Sequence, residues 1–168
     1  MVSRSAGLLL FRRVGGQLEV LVGHMGGPYW AARDAGAWTI PKGECAEGED
    51  PHSGAVREFT EEVGCPPPPG DDIALGEVRQ RGGKIVTVWA REGDVDPPGG
   101  AAVVEIEWPP RSGRRLMVPE LDRVAWLPIA RARELVVAAQ AELLDRLVAH
   151  TGQLRPPRSP ADPAAPPP

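Results

Sequence analysis

The segment between Asp50 and Gly64 constrains the local structure more than any other part of the sequence. Asp50 is a favoured N-cap residue, and Pro51 is a favoured first residue of a helix. Gly64 is typical of a helix end, and the prolines at positions 66–69 exclude a continuation. The sequence therefore predicts a helix from Pro51 to Val63.

Three glutamates share one stripe of this helix. At about 100° per residue, Glu58, Glu61 and Glu62 fall together, with only Gly54 between them, and the apolar side chains fill a separate arc. Like charges at this spacing destabilise a helix, and a divalent cation that prefers oxygen ligands, Mg²⁺ or Mn²⁺, relieves the repulsion. A solvated acidic face is the alternative, but such a face would mix cations into the stripe, and only Arg57 adjoins it.

The acidic charge of the chain is concentrated around the same helix. Positions 43–65 hold seven acids and one base, so this window carries −6 while the whole chain carries −4. The remainder is therefore slightly basic. The basic residues of the whole chain are 17 arginines and two lysines, a composition that suits recognition of phosphate groups.

The loop before the helix adds to this pattern. Gly43 marks a place where the backbone approaches another group closely or takes a positive φ, and Glu49 follows six positions later. Together the residues read Gly-x5-Glu-x7-Arg-Glu-U-x-Glu-Glu-x-Gly-U, where U is a bulky apolar residue. This arrangement resembles the Nudix box of the Nudix (MutT-like) hydrolases; Phe59 and Cys65 depart from the aliphatic U positions but remain apolar. The opening strand and the segment EIEWPPRSG resemble a bacterial subgroup of NTP pyrophosphohydrolases and, more loosely, diadenosine tetraphosphate hydrolases.

The resemblance implies an α/β/α sandwich and hydrolysis of a pyrophosphate bond in a nucleoside diphosphate linked to another moiety. It also implies that Glu58, Glu61 and Glu62, with the Gly43 carbonyl, hold Mg²⁺ (or Mn²⁺), and that Arg57 and Glu49 support them. A carboxylate that is not fully committed to metal can take the proton of the attacking water. The candidates are Glu58, Glu62 and a later glutamate, Glu120, for which a surface loop acid is the alternative.

Candidates for substrate binding lie outside the helix. Lys42 adjoins the box glycine, and Arg111, Arg114 and Arg115 stand in a glycine-containing loop, where a solvated basic turn is the alternative. Candidates to stack a base, with simple packing as the alternative, are Tyr29, Trp30, Trp89 and Trp108. We predict a structural role for His24 and a strand-surface role for Glu105 and Glu107.

The order of predicted elements is strands, helix, strands, helix, which indicates an α+β fold with helices on both faces of a mixed sheet. Residues 1–151 form the predicted domain, and residues 152–168 a proline-rich disordered tail with seven of the 20 prolines. The predicted strands are Ser5–Phe11, Leu18–Val22, Ala37–Ile40, Ile73–Arg79, Lys84–Arg91, Val103–Trp108 and Val124–Leu127. The segments Lys42–Glu49 and Pro109–Arg115 are predicted loops, and Ala130–His150 is predicted to be one continuous helix.

Several classes of protein are excluded or disfavoured. No apolar run reaches the length of a membrane helix, the N-terminal segment does not resemble a signal peptide, and Cys45 and Cys65 have no metal-site spacing, so we expect a cytoplasmic protein. The expected partner is a small nucleotide, and the sequence leaves open whether the protein is a monomer or a homodimer. The alternatives are a nucleotide-sensing module, which usually has a broken box, and an RNA 5′-end pyrophosphohydrolase, which the absence of an extended basic stripe disfavours.

Overall fold

The computed structural model describes residues 2–99 and 102–153. Nine strands and three helices are present in these ranges, together with one 3₁₀ turn at Ala138–Gln140. The strands are β1 (Arg4–Val14), β2 (Gln17–Met25), β3 (Trp38–Thr39), β4 (Lys42–Glu44), β5 (Asp72–Arg79), β6 (Ile85–Glu92), β7 (Val103–Glu107), β8 (Arg115–Pro119) and β9 (Leu121–Pro128). The helices are α1 (Pro51–Val63), α2 (Ile129–Leu135) and α3 (Ala141–Gln153).

A mixed seven-stranded sheet forms the centre of the molecule. Its main path runs β3-β2-β1-β6-β5, with β4 paired to β1 and β9 paired to β2. The β1 and β6 strands are parallel, and the other pairs are antiparallel. Strands β7 and β8 form a separate two-stranded sheet, which we call the hairpin.

Helices cover both faces of the sheet, because the apolar run of β1 points its side chains alternately to either side. Leu8 and Leu10 pack against Phe59 of α1. Leu9 and Phe11 belong to a second core, together with Leu143 and other apolar residues of α2 and α3. The predicted α+β sandwich with a mixed sheet between helices is therefore confirmed.

The α1 helix begins and ends as its sequence predicts. The Asp50 carboxylate accepts a hydrogen bond of 2.9 Å from the Ser53 backbone N–H. Gly64 ends the helix in the left-handed conformation, with φ of 86°, and its N–H donates to the Thr60 carbonyl. These two ends fix the first and last residues of α1, and therefore the position of its acidic stripe next to β4.

Two local predictions are wrong, and one strand was not predicted. The predicted loop after Pro41 contains strand β4, which pairs with residues 5–7 of β1, whereas β2 pairs with residues 11–14. The predicted basic loop at Pro109–Arg115 is correct up to Arg114, but strand β8, which begins at Arg115 and pairs with β7, was missed. The predicted helix over Ala130–His150 is interrupted, because Val136 pairs with Trp38 and the Val137 N–H donates to the Trp38 carbonyl at 2.9 Å.

The last helix reaches Gln153, so it includes the first two residues of the predicted tail. Residues 154–168 lie outside the described residues. None of the helices in the described ranges has the length and apolar character that a bilayer span requires.

Candidate active site

A cleft of about 960 Å³ lies beside the acidic stripe of α1. Its polar part is formed by five glutamates and two lysines: Glu44, Glu58, Glu61, Glu62, Glu120, Lys42 and Lys84. Its apolar part includes Trp30 and three residues of the hairpin, Val104, Ile106 and Val118. Charged and apolar surfaces therefore face the same space.

Three carboxylates converge in this cleft. Oxygen atoms of Glu58, Glu62 and Glu120 all lie within 4.8 Å of one another. Glu58 and Glu62 are only 8 % and 6 % exposed. Glu120 joins them because it occupies the turn between β8 and β9, where its carbonyl accepts from the Gly26 N–H and its N–H donates to the Ala102 carbonyl.

Glu61 does not belong to this group of three, although it lines the cleft. Its side chain is about half exposed, and both of its carboxylate oxygens lie 3.3 Å from Nη1 of Arg57. The residue is on the outer side of the stripe, one position before the buried Glu62. The structure thus separates the three glutamates of α1 into a buried pair and an exposed member.

Gly43 is required for space. A Cβ at this position would overlap the Glu58 carboxylate, so the β4 backbone touches α1 where the carboxylate lies. The φ angle of Gly43 is not positive, and close approach is therefore the reason for the glycine.

Arg57 connects the loop to the helix. Its Nε donates to Oε1 of Glu49 at 2.8 Å, and its Nη2 donates to Oε2 of the same residue at 2.9 Å. Its Nη1 donates to Oε1 of Glu58 at 2.7 Å, and its Nη2 reaches the Glu44 carbonyl at 3.2 Å. The bidentate hydrogen bonds from Arg57, with a further one from the Ala46 N–H, lower the pKa of Glu49 to about 2.

Burial dominates the electrostatics of the inner carboxylates. Burial raises the pKa of Glu62 to about 8, although the backbone N–H of Lys42 donates to Glu62 Oε2 at 2.9 Å and opposes this increase. Burial also raises the pKa of Glu58 against the opposing hydrogen bond from Arg57. It lowers the pKa of the Lys42 ammonium, although Glu62 opposes this change.

These features fit a divalent cation of the Mg²⁺ class. The ligand set consists of carboxylate oxygens, which Mg²⁺ and Mn²⁺ prefer, and the absence of a side chain at Gly43 leaves the β4 backbone next to one of them. A bound cation would offset the cost of ionising Glu58 and Glu62 in a buried position.

The structure does not bring all the predicted substrate residues to the cleft. Lys42 lines it, as does Trp30. Tyr29 is 49 % exposed and lies outside the lining, packed edge-on against Trp30 with the Arg33 guanidinium 4.3 Å from its ring centre. Arg111 and Arg114 are exposed near the turn of the hairpin, also outside the lining. The predicted roles of these three residues therefore receive no support from the geometry.

Several other residues behave as surface or structural groups. Trp89 packs edge-on against His52, away from the cleft. Arg115 and Glu105 form an exposed ion pair on the hairpin, and Glu107 accepts from the Gly113 N–H. His24 is fully buried, with Nδ1 2.9 Å from Asp122 and Nε2 2.7 Å from the Arg33 carbonyl, which accords with the predicted structural role.

The sequence interpretation missed Lys84 and the apolar side of the hairpin. Lys84 precedes β6 in a glycine-rich turn, where no motif distinguishes it. The alternation Val104-Glu105-Ile106 predicts a half-buried strand, but Val104 is 39 % exposed and only Ile106 is partly buried, because the apolar side of β7 faces the open cleft. The scarcity of lysine in the chain is the one signal that could have identified Lys84.

Comparison with known families decides the relationship of this chain. The family described as NUDIX domain matches residues 1–147. The chain belongs to the NUDIX family. The match therefore includes the residues at the box positions and all of those that line the acidic cleft.

Solved structures show the same fold at low sequence identity. A C. elegans Ap4A hydrolase in a binary complex matches with a TM-score of 0.66 and 21% identity, over 89% of this chain and 98% of that chain. The NUDIX domain of Shewanella oneidensis NrtR, complexed with ADP ribose, matches with a TM-score of 0.64 and 16% identity, over 90% of this chain and 89% of that chain. A Nudix hydrolase from M. smegmatis, RenU, matches with a TM-score of 0.56 and 23% identity, over 94% and 90% of the two chains. A comparison with curated protein sequences finds no match.

The chain is accordingly a MutT-like Nudix hydrolase, an enzyme of phosphoric anhydride bonds. The predicted family and enzyme class are confirmed.

Proposed function

We propose that this Nudix hydrolase is a Mg²⁺- or Mn²⁺-dependent pyrophosphohydrolase of nucleoside triphosphates or dinucleoside polyphosphates. The observation that carries the proposal is the convergence of Glu58, Glu62 and Glu120 within 4.8 Å in a cleft whose other side is apolar. The carboxylates suit a cation that binds phosphate, and the apolar side suits a nucleobase. The similar Ap4A hydrolase structure supports a substrate of this class, and the similar ADP ribose complex supports the broader class of small nucleotides.

The metal residues in this proposal are Glu58 and Glu62, with the Gly43 carbonyl and Glu61 at the edge of the same site, while Glu120 lies beside them and is not committed to the metal. A bound cation would neutralise phosphate charge and lower the pKa of a water molecule bound to it. Arg57 holds Glu58 in place through the 2.7 Å hydrogen bond, and Glu49 holds Arg57. Lys42, which lines the cleft, binds a phosphate oxygen of the substrate in this proposal.

Glu120 is the residue we propose as the general base. The Arg57 side chain donates to Glu58, and the backbone N–H of Lys42 donates to Glu62. Two of the three carboxylates therefore already accept hydrogen bonds. Within residues 2–99 and 102–153, no hydrogen bond to the Glu120 side chain is present. Its carboxylate is therefore the one most available to accept the proton of an attacking water.

The two cysteines bear on where the protein works. Cys45 and Cys65 are both free thiols, and burial raises the pKa of each. Unpaired thiols are typical of proteins in a reducing compartment, and we propose a cytoplasmic location on this ground.

A substrate panel tests the proposal. Purified protein is incubated with Mg²⁺ and with nucleoside triphosphates, dinucleoside polyphosphates, nucleotide sugars or 5′-triphosphate RNA, and the phosphorus-containing products are identified. We expect turnover of the first two classes, and we expect Glu120→Gln to lower kcat by roughly 10²–10⁴-fold. Activity that survives both Glu58→Gln and Glu62→Gln would exclude the proposed site, and preferred cleavage of RNA would overturn the proposed substrate class.

A further inference from the structure

The two lysines of the chain are both in the cleft. The sequence contains 19 basic residues, of which 17 are arginines and only Lys42 and Lys84 are lysines. Both lysines line the cleft, whereas no arginine does so among the described residues. The type of cation therefore differs between the cleft and the rest of the protein surface.

Lys84 reaches the cleft from the far side of β1. It directly precedes β6, whose Ile85 pairs with Arg4 on one edge of β1, while Glu44 of β4 pairs with Ser5 on the other edge. The Nζ atom of Lys84 lies 3.6 Å from Oε1 of Glu44, and the side chain remains 31% exposed. Lys84 is thus at the Glu44 end of the cleft and accessible to a ligand.

Two positive charges share one cleft with the acidic group. Lys42 and Lys84 both line it, together with the three carboxylates that lie within 4.8 Å of one another. A divalent cation at the buried carboxylates would offset their negative charge, and phosphate groups of a substrate would then be the anionic partners of the two lysines.

Lysine differs from arginine in a way that matters at this position. The planar guanidinium forms two parallel hydrogen bonds with a carboxylate, as Arg57 does with Glu49, and is then committed to it. The ammonium group is a compact point charge, which exchanges one oxygen partner for another more readily. Beside five carboxylates, a lysine therefore remains available to a phosphate.

We infer that Lys84 is a second phosphate-binding residue of the cleft, and that it favours substrates with a phosphate beyond the two joined by the cleaved bond. The inference rests on the proposed function. Lys42 and Glu44 are two residues apart on β4, a span of roughly 7 Å at strand spacing. The ammonium group of Lys84 lies 3.6 Å from the Glu44 carboxylate, at the far end of this span. Lys84 and Lys42 would therefore contact different phosphate groups of one substrate.

The test compares Lys84→Gln with the parent protein on two substrates. For a nucleoside triphosphate we expect KM to rise roughly tenfold with little change in kcat, because one charge-assisted contact is lost. For a nucleotide sugar with only two phosphates, we expect about the same KM as in the parent. Arg81→Gln is the matched control, since Arg81 is an exposed cation in the same turn and lies outside the cleft lining.

A structural role for Lys84 is distinguished by two further variants. If Lys84 acted only through its ion pair with Glu44, then Glu44→Gln would raise KM as much as Lys84→Gln does. Binding to phosphate predicts instead that Glu44→Gln does not raise KM, and that Lys84→Arg raises KM although it keeps the charge, because a guanidinium would pair with the carboxylates of the cleft. An equal effect of Lys84→Gln and Glu44→Gln would overturn the inference.

Calorimetric titration with inorganic tripolyphosphate in the presence of Mg²⁺ separates this inference from the proposed function. We expect Kd to be roughly tenfold higher in Lys84→Gln than in the parent, and unchanged in Arg81→Gln. If the parent hydrolyses no nucleotide but shows this difference, the proposed function fails and the binding role of Lys84 stands. If the parent hydrolyses nucleoside triphosphates and Lys84→Gln matches it in KM and Kd, the inference fails alone.

Discussion

Arg57 illustrates how one side chain organises several others. Its guanidinium donates to Glu49, to Glu58 and to the Glu44 carbonyl, so a single residue connects the loop, strand β4 and helix α1. Five N–H donors in a rigid plane make this possible, and an ammonium group has no equivalent geometry. The sequence pattern places a basic residue here, but only the structure shows which acids it joins.

Replacement of Arg57 by lysine tests this arrangement. Arg57→Lys keeps the charge and loses the bidentate contact with Glu49, so we expect Glu58 to be held less firmly. The Mg²⁺ concentration that gives half-maximal activity should rise about 10–100-fold, the usual effect of losing a residue that orients a metal ligand. Metal titrations of the hydrolysis rate measure this value.

Arg131→Lys is the control for this substitution, since Arg131 forms an exposed ion pair with Glu134 on helix α2. We expect the Mg²⁺ requirement of that variant to equal the parent value. An unchanged requirement in Arg57→Lys as well would show that Arg57 does not orient Glu58.

At the scale of elements, local sequence signals predicted α1 well. Its cap, its terminal glycine and its apolar arc all depend on residues within the helix or next to it. Strand β4 could not be predicted in this way, because three residues of mixed polarity become a strand only where β1 offers an unpaired edge. The break after α2 likewise depends on the distant Trp38, whose carbonyl accepts from Val137.

The first turn of α1 is attached to the sheet by Asp72. This residue of β5 accepts two hydrogen bonds of 2.7 Å from Arg91 of β6 and another from His52 of α1. Burial alone would raise the pKa of Asp72, but the hydrogen bonds from Arg91 and His52 outweigh it and lower the pKa below the ordinary value of 3.8.

Asp72→Asn should therefore destabilise the fold in a pH-dependent way. At pH 7 we expect the free energy of unfolding to fall by about 1–3 kcal/mol, the range for hydrogen bonds to a charged group. Because the folded-state pKa lies below the unfolded-state value, the contribution is fully present above the unfolded-state pKa. It is lost as the pH falls through the folded-state pKa.

Urea unfolding at several pH values measures this difference. The gap between the parent and Asp72→Asn should narrow below about pH 4, as the parent carboxylate becomes protonated. Asp71→Asn is the control, since Asp71 is the exposed neighbour. A gap of constant size down to about pH 2 would show that ionisation of Asp72 does not stabilise the protein.

The whole molecule is a sheet between two apolar cores, and the order of elements was sufficient to predict this. Alternate side chains of β1 reach either core, so the strand joins the helix of the active site to the helices on the opposite face. The sequence could suggest that Glu120 joins Glu58 and Glu62 but could not establish it, because 58 positions separate Glu62 from Glu120 along the chain. Their meeting depends on the complete fold.

Replacement of Phe59 tests how strongly the core between α1 and the sheet stabilises the protein around the active site. The side chain is fully buried between α1 and the sheet, directly after Glu58. Phe59→Ala should lower the free energy of unfolding by about 3–5 kcal/mol, through lost burial and the cavity that remains. Val148→Ala, at a 46 % exposed position of α3, should change it by less than about 0.5 kcal/mol.

Chemical denaturation of the two variants measures the difference in stability. Activity assayed at low temperature, where Phe59→Ala remains folded, should retain a measurable fraction of the parent rate. Equal stability of Phe59→Ala and Val148→Ala would contradict the packing described for the α1 core.

The separate hairpin affects how the cleft of such an enzyme can change during evolution. Among the residues that the structure describes, strands β7 and β8 pair with each other and not with the main sheet, yet Val104, Ile106 and Val118 form one side of the cleft. Substitutions at the apolar positions of β7 leave Glu58, Glu62 and both apolar cores untouched, whereas Glu120 directly follows β8. Selection can therefore alter the apolar side of the cleft while the glutamates of α1 keep their positions.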